Sequence, residues 1–202
     1  LSDQHGTTLR YGENPHQGAN YYVTDEAPFQ QLHGKELSYN NLNDLTACVD
    51  LVKEFEVPVA VAIKHTNPCG VAIGSTALDA YQKAYEADDQ SIFGGIVGFN
   101  RPVEEDLAQA LSEIFLEVIV APSFSSEALD ILQKKKNVRL LTMDDLDQPA
   151  QAEPQIRQTL GGLLVQDKDI AIFEKDALEN KTQRLISDQE MQDLLFAWKV
   201  AK

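Results

Sequence analysis

Val57-Pro58-Val59-Ala60-Val61-Ala62-Ile63-Lys64-His65-Thr66-Asn67-Pro68-Cys69-Gly70 is the stretch on which the fold turns. An apolar run ends abruptly at adjacent Lys and His residues, and a polar segment with a Pro-Cys-Gly turn follows. That pattern reads as a buried core strand, Val57 to Ile63, delivering ionisable groups to its carboxyl end. In open α/β sheets ligands bind at the carboxyl ends of strands, so Lys64 and His65 are the first candidates for chemistry. An ammonium beside an imidazole disfavours the imidazolium and keeps the His available as a base, while the Lys can face developing negative charge. The same residues also fit a plainer arrangement, on opposite sides of a strand end, one solvated and the other capping a carbonyl.

Upstream, Asn41-Leu42-Asn43-Asp44 opens a helix reaching about Glu54, with Asn43 or Asn41 as its cap and Leu45, Val49 and Val52 inward. Downstream, Thr76-x-x-Asp79 resembles a capping box for a second helix carrying Leu78, Tyr81 and Tyr85. Ser91 to Phe99 mixes β-formers with Gly94, Gly95 and Gly98, which predicts close backbone approach or amides facing a ligand. No G-x-G-x-x-G followed by a helix occurs there, so a dinucleotide site is not expected. Val103 to Phe115 reads as a helix, Glu117 to Pro122 as a core strand, and Ser125 or Ser126 as the cap of a helix ending in Lys134-Lys135-Lys136. A strand over Val138 to Met143 precedes an acidic, Pro-containing loop or minor boundary from Asp144 to Pro154. Ile156 to Val165, broken by Gly161-Gly162, reads as a strand or a pair of strands. Ser187-x-x-Glu190 boxes a last helix with Met191, Leu194, Leu195 and Trp198 on one face. The alternation predicts right-handed crossovers and a largely parallel sheet covered on both faces.

With 202 residues, 43% of them hydrophobic, the chain can bury one sizeable core or two small ones. A formal charge of −15 argues against nucleic acid as a partner, because phosphate neutralisation needs clustered cations. No run approaches the roughly 20 apolar residues of a membrane span. The two cysteines, Cys48 and Cys69, have no metal-like spacing and fit a reduced, cytoplasmic protein. There is no initiator Met and no basic-then-apolar signal segment, and the last helix stops without Gly, Asn or Pro. The chain is therefore expected to be a piece of a longer one.

An anionic ligand would need a local basic pocket in this acidic chain. Leu9-Arg10-Tyr11-Gly12-Glu13-Asn14-Pro15-His16-Gln17 is loop-like and dense in hydrogen-bonding groups. Arg10 can grip an anion while the Tyr11 ring packs on a flat group. Equally, the loop can spend its polar groups on its own turns. One chemistry is testable by motif: a zinc nucleobase deaminase needs H-x-E and P-C-x-x-C. Here His65 is followed by Thr66-Asn67 and Pro68-Cys69 by Gly70-Val71, so no zinc is expected.

The ordered motifs Leu9 to Gln17, Asn41-Leu42-x-Asp44, Lys64 to Gly70, Ser91 to Gly95 and Glu117 to Pro122 resemble the bacterial AICAR transformylase part of the bifunctional transformylase/IMP cyclohydrolase of purine synthesis. The resemblance covers nearly the whole chain and lacks the cyclohydrolase domain and the transformylase's second half. It implies a three-layer α/β/α, cytidine-deaminase-like fold without the zinc site. Residues 1–40 would be a substrate-binding arm and connector, and 41–202 the first subdomain. It implies a cytoplasmic homodimer with shared active sites, and formyl transfer from 10-formyltetrahydrofolate, as co-substrate, to the 5-amino group of AICAR. By that resemblance His65 is the proton-transfer base and Lys64 its partner. Arg10 meets the nucleotide phosphate and Tyr11 the base or its carboxamide. Asn41, the Gly94 backbone and the Glu117 carboxylate help to bind the nucleotide, with Asp in place of Glu117 in some members. A non-catalytic nucleotide-binding or dimerisation fragment of the same fold is the alternative.

Overall fold

The computed structural model describes residues 6–23, 27–171 and 178–202. The chain divides into two compact units, 1–148 and 149–202, and the boundary falls inside the acidic, Pro-containing run.

The first unit is built on a six-stranded sheet. Its strands are β3 (Gln30–His33), β4 (Val59–Lys64), β5 (Asn67–Ile73), β6 (Ile96–Phe99), β7 (Val118–Ala121) and β8 (Arg139–Thr142), in the order β3-β8-β7-β6-β4-β5. β6 and β7 are buried at every position, as is β4 up to Ile63, which explains why they read as continuous rather than alternating apolar runs. Helix α1 (Tyr39–Val52) lies on one face, where a Cβ on Gly98 would stand 2.5 Å from Cys48 Sγ. No side chain fits there, so the close helix–sheet approach requires Gly98. Helices α2 (Ala77–Ala87), α3 (Glu105–Ser112) and α4 (Ser126–Leu132) cover the other face. Their Tyr81, Leu107, Leu111 and Leu132 share a core with Ala60, Val97, Phe99 and Ile119. The architecture is thus α/β with three layers.

The sheet is mixed, which corrects the expectation of a mostly parallel one. Only β6–β7 and β7–β8 run parallel, whereas β3–β8, β4–β6 and β4–β5 are antiparallel. The source of the difference is local. Pro68-Cys69-Gly70 is not a turn but part of β5, an edge strand where Pro68 needs no ladder donor. The chain reverses instead at His65-Thr66, and a connection of two residues can only join antiparallel neighbours. The pairing shifts between Ala62 and Ile63, so Cys69 bulges out of register.

Helix α1 begins earlier than expected. Ser38, not Asn41 or Asn43, is its cap, and Asn41 closes the capping box from the third helical position. The helix before the three lysines ends at Leu132, so Lys134 to Lys136 follow it rather than forming its last turn. A buried polar tie fixes the start of β4. The Asn100 amide accepts from Val59 N (3.0 Å) and donates to the Phe55 and Val57 carbonyls (2.8 Å each). A separate hairpin, β1 (Gly6–Leu9) with β2 (Ala19–Tyr22), carries the Arg10–Gln17 loop at its tip.

The second unit contains an antiparallel pair, β9 (Pro154–Thr159) and β10 (Gly162–Asp167), turned at Gly161 with φ +72°. Its helix α5 (Asp188–Ala201) starts in the expected Ser187/Glu190 capping box. Bonds from Arg184, first in size, and from Ser187 hold the Glu190 carboxyl at about 2. No residue of α5 is fully buried, and Leu194 and Trp198 of its apolar face are exposed. No helix among the described residues is long and apolar enough to cross a membrane.

Candidate functional site

His65 and Thr66 form the two-residue turn between β4 and β5, and both take positive φ, +53° and +62°. Two positive φ values in a two-residue hairpin loop are those of a type I′ turn, which ordinarily selects Asn and Gly. For a β-branched Thr the conformation is strained by about 1–3 kcal/mol and persists only where its surroundings impose it. Here the turn is bonded to Asp44 of α1. Its carboxylate accepts from Thr66 N (2.8 Å) and from His65 N (3.3 Å). On the opposite side of the turn, the His65 carbonyl accepts from Thr66 Oγ1 (2.7 Å) and Asn67 Nδ2 (2.9 Å). The backbone of His65 is held from both ends. Its exposed imidazole makes no hydrogen bond among the described residues.

Lys64, the last residue of β4, reaches sideways and donates from Nζ to the Phe93 carbonyl at 2.9 Å. That carbonyl belongs to the glycine loop before β6. Gly94 (φ +74°) donates from N to Phe115 O (2.8 Å), and Gly95 N donates to Ile92 O (3.0 Å). These two amides are thus satisfied within the chain. A Cβ on Gly95 would lie 2.9 Å from Ile63 O, so the loop presses directly on the end of β4. Bonds from the Ser91 hydroxyl and N–H hold the Asp88 carboxyl below the usual carboxylate range and tie down the loop's entry.

The register of the sheet gathers these groups. Ile63 pairs with Ile96 and Ile96 with Val118, so Lys64, Gly95 and Glu117 stand in the next row at one end. β4 runs against β6, β7 and β8, so the carboxyl end of β4 coincides with the amino ends of the other three. The carboxyl-end rule for parallel sheets therefore does not describe this place. The Glu117 carboxylate is bonded to Arg139 Nη1 at 2.6 Å, with side chains 36% and 12% exposed, and Arg139 Nε also reaches Glu36 O (3.3 Å). Asn41 is nearly buried, its Oδ1 accepting from Ser38 N at 3.1 Å in the capping box.

Arg10 and Tyr11 sit at the tip of the β1–β2 hairpin, the exposed guanidinium over the Tyr11 ring at 5.4 Å from its centroid. The loop closes on itself through Gly12 N to Gln17 O (2.7 Å) and Asn14 to the Gln17 side chain. Asn40 Nδ2, at the start of α1, donates to Glu13 O (3.3 Å) and ties the loop to the helix that carries Asn41 and Asp44. The structure therefore brings Asn41, Lys64, His65, Gly94 and Glu117 to one end of the sheet, with the Arg10 loop fastened beside α1.

Sequence reasoning assigned no role to Asp44 or Arg139. Arg139 carried a faint signal, since a charged residue at the mouth of each of two adjacent core strands can pair once those strands run parallel. Asp44 stood only as a letter of the Asn41-Leu42-x-Asp44 motif, because nothing local connects a helix residue to a turn 21 residues on. Both thiols are pushed up by burial, which leaves neither Cys48 nor Cys69 set up as a nucleophile. A cleft of about 360 Å³ between Leu111, Phe115, Leu132 and Lys135 contains none of the expected site residues.

Comparison with known proteins gives consistent findings. A family model described as "AICARFT/IMPCHase bienzyme" matches residues 1–202. The bifunctional purine biosynthesis protein PurH of Bacillus subtilis (strain 168) is 52% identical over 201 residues. The proteins of the same name from Anoxybacillus flavithermus and Bacillus mycoides are 52% and 51% identical over 201 and 203 residues. In each case 96% of this chain is covered but only 39% of the relative, so the chain spans well under half their length. Among solved structures, Acinetobacter baumannii RibD superposes with a TM-score of 0.41 at 14% identity, over 55% of this chain and 38% of that one. A likeness at that level carries no argument about the fold family.

Proposed function

The chain belongs to the AICARFT/IMPCHase bienzyme family, and from that premise we propose that it supplies part of an AICAR formyltransferase site. The observation that carries the reading is the Lys64-His65 end of β4. An exposed imidazole with no hydrogen-bond partner among the described residues stands on a turn bonded from both sides, next to an ammonium anchored to the glycine loop. An aromatic amine conjugated to a carboxamide is a weak nucleophile and needs a positioned base. In this reading the 5-amino nitrogen of AICAR attacks the formyl carbon of 10-formyltetrahydrofolate while His65 takes the amine proton. The tetrahedral intermediate then collapses. The bond from the formyl carbon to the folate nitrogen breaks, and that nitrogen leaves with a proton returned by His65. Lys64 lies beside the developing oxyanion and stabilises it.

Arg10 meets the nucleotide phosphate and Tyr11 the base or its carboxamide. Asn41, the Gly94 backbone and Glu117 border the nucleotide. The Arg139 bond to Glu117 leaves one carboxylate oxygen for that role. The arm of residues 1–40, the cytidine-deaminase-like subdomain of 41–202, a cytoplasmic location and a homodimer that shares its sites complete the proposal. The family membership and the 51–52% identity to PurH proteins support it. In the complete protein that carries this chain, His65→Ala is expected to lower kcat for formyl transfer at least about 10²-fold, with much less effect on AICAR binding. A variant with near-parental kcat refutes the base assignment. A complete protein without formyl transfer leaves only a binding or dimerisation role.

A further inference from the structure

We infer that Asp44 is a positioning residue, holding the His65-Thr66 turn in the left-handed conformation that presents the His65 imidazole. The inference rests on the proposed role of His65 for its kinetic consequence and on geometry alone for the clamp. Three observations converge. The turn contains no glycine, yet both residues have positive φ, and one of them is β-branched. Their two consecutive N–H groups, which face the same way in such a turn, both end on one carboxylate. That carboxylate comes from a different element, α1, whose Cys48 packs against the same strand through Val61 O (3.6 Å). Asp44 thus transmits the position of the helix to the tip of the hairpin. A hydrogen bond to an ionised acceptor is about twice as strong as a neutral one, which suits a carboxylate to opposing backbone strain.

Without the clamp, Thr66 would leave the left-handed region and carry the His65 backbone with it. The imidazole would then sample several orientations, and catalysis falls steeply with small misplacements. Binding of a substrate held by other residues would change little. Asp44 touches no reacting atom in this account and acts only through the turn.

The test is a cycle in the complete protein of Asp44→Ala, Thr66→Gly and the double variant, with a structural and a kinetic readout. Alanine at a half-exposed helix position favours the helix, so folding is retained, and an unchanged far-UV spectrum checks it. Asp44→Ala is expected to speed amide exchange at His65 and Thr66 at least about 10-fold while leaving Val61 and Ala62 unchanged. It is also expected to lower kcat about 10- to 100-fold with KM for AICAR within roughly threefold. Glycine takes φ +62° without a Cβ penalty, so Thr66→Gly in the Asp44→Ala background should recover most of the lost kcat. Asp44→Asn keeps an acceptor for the 2.8 Å bond and should fall between parent and alanine. Unchanged exchange in Asp44→Ala overturns the clamp. Faster exchange with unchanged kcat overturns the positioning role, and so does loss of kcat that Thr66→Gly does not relieve. If the parent shows no formyl transfer, the function reading has failed, and the exchange arm still decides the clamp.

Discussion

Asn100→Ala should destabilise the first unit without touching the chemistry at the far end of β4. Asn100 is fully buried and makes three hydrogen bonds to backbone groups. Truncation removes the acceptor of the Val59 N–H in the interior and one donor to the Phe55 carbonyl. The Val57 carbonyl belongs to a residue 48% exposed and can turn to water. A buried polar group left unpaired costs about 1–3 kcal/mol, so the Val59 N–H alone amounts to a loss of about 2 kcal/mol. With a urea m-value of about 2 kcal/mol/M the midpoint should fall by roughly 1 M. The assay is urea unfolding followed by far-UV circular dichroism. Val59 and Lys64 are the two ends of one strand, about 17 Å apart at the usual rise, so kcat measured well below the midpoint should be nearly parental. A loss below about 1 kcal/mol would mean that water replaces the Asn100 amide, and the tie would then not be what anchors β4.

Two further outcomes follow from the site. Lys64→Met keeps most of the stem but removes the donor to Phe93 O. It should lower kcat about 10- to 100-fold and speed amide exchange at Gly94 and Gly95, whereas parental values for both would leave Lys64 a solvated strand-end residue. A double-mutant cycle of Glu117→Gln and Arg139→Gln should show a coupling of about 1 kcal/mol in stability, because the pair is only partly exposed. Additive effects would mean that the 2.6 Å contact contributes nothing, and an unchanged KM for AICAR in Glu117→Gln would remove that carboxylate from the nucleotide site.

Much of the molecule is legible in one dimension. The apolar runs at Val59–Ile63, Val118–Ala121 and Leu140–Leu141 mark strands buried on both faces because burial leaves no room for alternation. Thr76, Ser125 and Ser187 announce their helices because a cap bonds a backbone group only three residues away. The Gly161-Gly162 break reads as a strand or a pair of strands, and it is a pair, turned where glycine takes φ +72° without strain. These features are local, and local chemistry is written in adjacent letters. The Lys64-His65 pair was visible for the same reason.

What tertiary structure decided is everything that depends on a partner distant in sequence. The direction of β5 hinged on whether the chain reversed at Pro68-Cys69-Gly70 or at His65-Thr66, and residue type favours the former. The reversal at His65-Thr66 is made possible by an acceptor on α1, so the turn has no signature of its own. With it changed the polarity of the site, which lies at the carboxyl end of one strand and the amino ends of three others. The Glu117–Arg139 bond likewise exists only because β7 and β8 run parallel in register. Sequence alone determined the helices and the buried strands β4, β6, β7 and β8, though not β5, and placed Lys64 and His65 side by side at a strand end. Packing decided which way they point, because strand direction and strained backbone are set by hydrogen bonds between residues that the chain itself keeps far apart.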